Sequence, residues 1–196
     1  MTDINQKVDQ LFKILAASED MEYIGEPISQ LQHALQAAQC GIDSKSDSEM
    51  IIAALLHDIG HLIESESADK HEAVGVINHD EEGELYLRAL GFPEKVITLV
   101  GGHVKAKRYL VATNSSYAGS LSPASVKTLE LQGGPMSPEE VHAFQSHPYF
   151  REMLQIRGWD ERAKEVDKAV TLLEEYRPMI TRLLEKSAAD NSSIKQ

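Results

Sequence analysis

The sequence predicts an all-α, single-domain protein. Apolar residues recur at helical spacing along most of its 196 residues, and no alternating strand pattern extends beyond a few residues. Prolines, glycines and serines sit where one periodic segment gives way to the next. Val8, Leu11, Phe12, Ile14 and Leu15 form the stripe of a first amphipathic helix. Glu26-Pro27-Ile28 opens a second, with Pro27 suited to the first helical position, and Gly41 closes it. Asp47 or Ser48 caps a third, which runs through Met50, Ile51, Ala54, Leu55 and Leu56 towards Ile63. Leu85, Leu87 and Leu90 mark a fourth, ended by Gly91, and Pro93 starts a fifth through Val96, Ile97 and Val100. Past Tyr109 the pattern thins. Ser122-Pro123 starts a short helix through Val126 and Leu129, and Gly133-Gly134-Pro135 stops it. Ser137-Pro138-Glu139-Glu140 starts another with acids in its first turn. A final helix is expected from about Val170 to Lys186. The single domain therefore covers residues 1–186, and the polar stretch 187–196 is expected to be a disordered tail.

Hydrophobic residues make up 42% and charged residues 26%, enough for a core and a hydrated surface. The formal net charge of −12 sets the chain against a duplex or an anionic membrane surface as main partner, so neither nucleic acid nor membrane is expected. A small anionic substrate stays admissible, because a local cation cluster outweighs a distant field. The chain is expected to be a monomer or a small homo-oligomer. Cys40 is the single cysteine, so no intramolecular disulfide can form, which fits a reducing compartment; a cytoplasmic location is the expectation. Cys40 itself reads as a small buried side chain. Residues Met1 to Gln6 lack the basic-then-apolar pattern of a signal peptide, and no apolar run approaches the ~18 residues of a membrane span.

The chemistry concentrates in Ala53-Ala54-Leu55-Leu56-His57-Asp58-Ile59-Gly60-His61. His57 and Asp58 follow directly on a buried apolar helix, where an ionised carboxylate is costly unless paired or bound to a cation. An isolated His-Asp pair of this kind is most simply a buried ion pair. Here, however, His33 lies amid Leu31, Ala34, Leu35 and Ala37, His79 precedes Asp80 at a helix start, and His103 follows Gly101-Gly102 within another helix. One histidine per helix, in order, is how helical bundles assemble metal sites. Asp160, after the single tryptophan, supplies a late carboxylate; alone it would read as a helix cap.

On these residues the sequence is identified as a member of the HD superfamily: His33, the His57-Asp58 doublet and Asp160 match its signature, and His79 and His103 complete the ligand set of two-metal members. The resemblance implies an HD-domain helical bundle. HD phosphohydrolases and HD diiron oxygenases share this set. Further stretches resemble the phosphonate-cleaving, PhnZ-type diiron oxygenases, relatives of myo-inositol oxygenase. These are Glu22-Tyr23-Ile24-Gly25-Glu26, His61 one helical turn after His57, Gly102 to Leu110 around His103, SPASVKTLELQGG from Ser122 to Gly134, and IRGWDE from Ile156 to Glu161. Glu64 to Asn78 and both termini match least.

The resemblance implies a mixed-valent pair of irons, Fe(II)/Fe(III), with O2 as co-substrate and a small organophosphonate, 2-amino-1-hydroxyethylphosphonate, converted to glycine and phosphate. Asp58 would bridge the irons, His33, His57 and Asp160 would complete one site, and His79 and His103 the other. Lys107, His61 and Ser125 would bind the phosphonate; Tyr23 would cover the open position at rest, and Glu26 would meet the amine. Tyr23 and Glu26, three apart, are expected on one face of a helical turn. Two other readings compete: a hydrolase acting on a nucleotide or phosphate ester, and a non-catalytic HD module, which a degenerate ligand set would favour.

Overall fold

The computed structural model describes residues 3–23, 25–63, 65–71 and 75–193. The described fold is all-α apart from one pair of two-residue strands. Helices α1 (Ile4–Ala17), α2 (Gln30–Asp43) and α3 (Ser48–Leu56) are followed by a 3-10 turn (Ile59–His61) and the antiparallel strands β1 (Lys70–His71) and β2 (Gly75–Val76). Helices α4 (His79–Leu90), α5 (Glu94–Thr113), α6 (Ser115–Ser120), α7 (Pro123–Leu131), α8 (Pro138–Gln145) and α9 (Phe150–Arg162) come next, then a 3-10 turn (Leu173–Tyr176) and α10 (Arg177–Ser193).

Helix α3 is the axis. Met50 to Leu56 are all buried, because α2, α5, α9 and α10 pack around it. A helix apolar on every side has no other stable place. Asp47 caps it, its side chain accepting from the Met50 N–H at 2.9 Å. The continuation expected towards Ile63 does not occur: the helix stops at Leu56, His57 forms its cap, and Asp58 leaves the helical region at φ −99°, ψ 11°. That break turns the two polar side chains inward.

Other boundaries differ for identifiable reasons. Helix α2 starts at Gln30, not Pro27, because the Ser29 hydroxyl caps the Gln32 N–H at 3.0 Å. Gly41 does not end it. A methyl group there would meet Ile51 Cγ1 at 3.1 Å and the Trp159 ring at 3.4 Å, so this glycine lets three elements close together. Lys45 takes the left-handed closing position (φ 55°), with the Ser46 N–H on the Gly41 carbonyl. Helix α4 ends as expected at Gly91 (φ 89°), but Leu85 points to solvent while Leu87 and Leu90 face the core. Helices α6 and α9 were not anticipated. The final helix begins at Arg177 and continues to Ser193, correcting the expected tail: Ala188 and Ala189 favour helix, and of that stretch 194–196 lie outside the described residues. Among the described residues, no helix is long and apolar enough to cross a membrane.

Gly60 fixes how the turn after α3 meets α4. A Cβ at Gly60 would lie 1.9 Å from the His79 carbonyl oxygen and 2.9 Å from the Gly83 nitrogen. Both neighbours are backbone, so neither can rotate away. Gly60→Ala is expected to destabilise the protein by about 1–3 kcal/mol through overpacking, lowering Tm by several degrees, roughly 2–4 °C per kcal/mol. Thermal denaturation checks this; an unchanged Tm would contradict the close backbone contact.

Candidate metal centre and cavity

Four histidines converge at the inner end of α3. His33 Nε2 and His57 Nε2 are 3.1 Å apart; His79 Nε2 and His103 Nε2 are 2.9 Å apart. Asp58 stands between the pairs. Its Oδ2 lies 3.6 Å from His33 Nε2 and 3.4 Å from His57 Nε2, and its Oδ1 lies 3.4 Å from His79 Nε2 and 3.5 Å from His103 Nε2. Asp160, in the last turn of α9 and not at a helix start, brings Oδ1 to 3.4 Å from His33 Nε2 and 3.9 Å from His57 Nε2. The structure therefore brings all six residues read as ligands into one cluster, with a four-donor group on one side of Asp58 and a three-donor group on the other.

The other ring nitrogens settle what this cluster can hold. His33 Nδ1 donates to the Ala163 carbonyl at 2.8 Å, His57 Nδ1 to Ala54 at 2.8 Å, His79 Nδ1 to Val76 at 3.1 Å and His103 Nδ1 to Val100 at 2.7 Å. With the proton on Nδ1, each neutral ring points a bare Nε2 lone pair into the centre. Two lone pairs at hydrogen-bond distance with no hydrogen between them call for positive charge. Without a metal a proton takes that place at His57: burial opposes a second proton, on Nε2, but Asp58 and then Asp160 favour it and raise the ring to about 9. Burial lowers His103 to about 4 and takes His79 well below the usual range. Asp58 and Asp160, although burial opposes their ionisation, are held well below the ordinary carboxylate range, Asp58 chiefly by His57 and Asp160 chiefly by Arg157. Imidazole nitrogens with ionised carboxylates suit divalent transition metals such as iron or zinc. The residues present fit two such ions.

His61 also comes within 4.8 Å of Asp58 and His79, so it could stand in for His103 as a donor. Its bonding argues otherwise. His61 Nδ1 accepts from the Val76 N–H at 3.3 Å, which leaves the proton on Nε2 and makes that atom a donor. The His61 ring stacks on His79, centroids 4.0 Å apart.

A cavity of about 70 Å³ opens over the cluster. Tyr23, His61, Lys107 and Ser125 are among the residues that line it. Lys107 is buried, and its Nζ donates to Thr128 Oγ1 at 2.9 Å; burial, then Arg157, lower it to about 7. Tyr23 stacks on His33 with centroids 3.8 Å apart. Burial, then Asp160 and Asp58, push its phenol well above the ordinary value, so it stays neutral. Glu26 departs from expectation. It does not line the cavity but pairs with Lys164 at 3.5 Å. Tyr23 and Glu26 do not share a helical turn, because Gly25 is left-handed (φ 81°) and the Glu26 N–H closes a tight turn on the Tyr23 carbonyl. Ile24, part of the run that carried the resemblance, lies outside the described residues.

Three polar lining residues were not singled out from the sequence: Gln30, Thr128 and Arg157. Arg157 is the most consequential. Its buried guanidinium pairs with Asp160 and Glu161, and its Nε donates to Tyr117 Oη at 2.8 Å. The IRGWDE run contained the signal, since an Arg three residues before an Asp on a helix shares its face.

The HD domain family model matches residues 30–141, a span that holds His33, the His57-Asp58 doublet, His79 and His103. The chain is 37% identical over 188 residues to "Uncharacterized protein L432" of Acanthamoeba polyphaga mimivirus, covering 95% of this chain and 86% of that one. It is 37% identical over 167 residues to the [1-hydroxy-2-(trimethylamino)ethyl]phosphonate dioxygenase (glycine-betaine-forming) of Leisingera caerulea, covering 85% of each. It is 36% identical over 183 residues to the hydroxymethylphosphonate dioxygenase of Gimesia maris, covering 93% of this chain and 90% of that one. With a family model over more than half of its length and such relatives over most of it, the chain belongs to the HD-domain family, in the PhnZ-type oxygenase branch that holds these phosphonate dioxygenases.

Proposed function

We propose that this protein is a diiron dioxygenase that cleaves the C–P bond of 2-amino-1-hydroxyethylphosphonate, giving glycine and phosphate. The observation that carries the reading is the six-residue donor set split by Asp58 and opening onto a cavity with a buried lysine in its wall. The reaction balances with O2 alone, which accepts all four electrons, so no further reductant is needed. When bound, an iron pair supplies the redox capacity for O2 and the Lewis acidity for the C1 hydroxyl.

The chain's own residues handle the anion. Lys107 supplies a counter-charge to the phosphonate, which in turn favours the protonated amine. His61 Nε2–H and the Ser125 hydroxyl supply directed donors, and Thr128 holds Lys107 in place. Tyr23 fills the space beside His33 at rest and yields it to substrate. The size of the cavity favours a substrate of few atoms over a nucleotide, since pockets for larger ligands run to roughly 300–1,000 Å³.

One observation favours a second substrate, hydroxymethylphosphonate, which carries no amine. Glu26 already has a cation, Lys164, at 3.5 Å, so an amine has to displace it. Turnover of the two phosphonates side by side separates these readings.

Phosphate release should equal O2 consumed and cease without O2; release under anaerobic conditions would point to a hydrolase. Metal analysis of chains produced with ample iron should find about two irons in wild type. Asp58→Ala should lose both ions, whereas His103→Ala should lose one, because Asp58 presents an oxygen to each side. Two retained ions in Asp58→Ala would remove its bridging role. Lys107→Ala should raise KM by about ten- to a hundredfold, the cost of a charged hydrogen bond, with metal content unchanged. An unaltered KM would take Lys107 out of substrate binding.

A further inference from the structure

Three of the four clustered histidines are tethered locally. His57, His79 and His103 each donate Nδ1 to the carbonyl three residues earlier: Ala54, Val76 and Val100. His33 is different. Its Nδ1 reaches the Ala163 carbonyl, 130 residues away and just past the end of α9. Nothing in α2 itself sets this ring; Tyr23 stacks on its face, and its hydrogen-bonded edge is aimed by where the chain after α9 lies.

That chain is clamped by Gln36. One helical turn after His33, Gln36 is fully buried, and both ends of its amide engage one residue. Its Nε2 donates to the Glu165 carbonyl at 2.7 Å, and its Oε1 accepts from the Glu165 N–H at 3.0 Å. A side-chain amide here pairs with a backbone residue as one strand pairs with another. Glu165 is two residues from Ala163. Further along α2, Gln39 Oε1 accepts from Thr171 N and Oγ1, both at 2.9 Å, and holds the same segment farther from the centre.

We infer that Gln36 is a positioning residue of the metal centre: through Glu165 it holds the Ala163 carbonyl, and through that carbonyl it aims His33 Nε2. The inference rests on the two-metal reading of the cluster. Glutamine is the side chain that fits, because the clamp needs a donor and an acceptor side by side. Glutamate keeps the shape but loses the donor and faces the Glu165 carbonyl with a like partial charge. Leucine loses both bonds.

The test is calorimetric titration of the metal-free full chain with Mn(II), free of O2, for wild type, Gln36→Glu, Gln36→Leu and Gln39→Leu. Wild type is expected to take two ions. In both Gln36 variants one of the two affinities should fall about 10- to 100-fold, the usual effect of losing support behind a ligand, while the other holds. Gln39→Leu should keep both. Equal weakening of both ions, no weakening, or the same loss in Gln39→Leu would overturn the assignment. A Gln36 variant that no longer folds without metal would overturn it too, by marking a purely structural role. Wild type that takes neither Mn(II) nor Fe(II) would instead overturn the two-metal reading, and the inference with it.

Discussion

The carboxylate of Asp58 is divided between two imidazole pairs, and much of the surrounding structure follows from accommodating it. A buried anion is tolerable only with compensating positive charge, and the four nitrogens around Asp58, whose opposite faces are occupied by carbonyls, are arranged to hold that charge. Helix α3 has to stop one residue before His57 so that Asp58 can turn away from the helical path. Helices α2, α4, α5 and α9 each contribute one donor, and therefore have to meet at that point. The apolar packing around α3 makes the meeting rigid, because its side chains leave little room for adjustment.

Much of this was legible in the sequence. A His-Asp doublet placed directly after an apolar helix, with single histidines on neighbouring helices, pointed to a metal site because buried polar groups rarely occur without a shared task, and the family resemblance then picked out the six residues. Gly60 stands in the same stretch, but its close approach to the His79 carbonyl could only be located in three dimensions. Helix α9 escaped because Met153, Ile156 and Trp159 give it a narrow stripe among many charges. Gln30, Thr128 and Arg157 escaped for a related reason: a polar residue on a helix resembles a hydrated face until the neighbouring helix is known. Glu26 was misplaced since a spacing of three implies a shared face only in a helix, and Gly25 prevents one there.

Arg157 joins parts of the cavity that the chain supplies separately. Through Asp160 it reaches the centre, and through Tyr117 it reaches α6, which leads into the wall formed by α7. Glu161 accepts from Tyr117 at 3.1 Å and lies 3.7 Å from Lys164, the cation that pairs with Glu26. The turn at Glu26, α6 and the centre thus share one chain of charges, and a change in any member is felt electrostatically by the others.

The contact at Gly60 separates what can vary from what cannot. It is made backbone to backbone, so side-chain exchanges elsewhere do not adjust the span between the His57-Asp58 doublet and His79, and one at Gly60 itself disrupts it. Part of the cavity wall belongs instead to α7, through Ala124, Ser125 and Thr128, where side chains meet side chains. Such a molecule has a fixed workbench and an exchangeable fixture. Replacing the fixture reshapes the cavity without re-solving the harder problem of bringing six donors together.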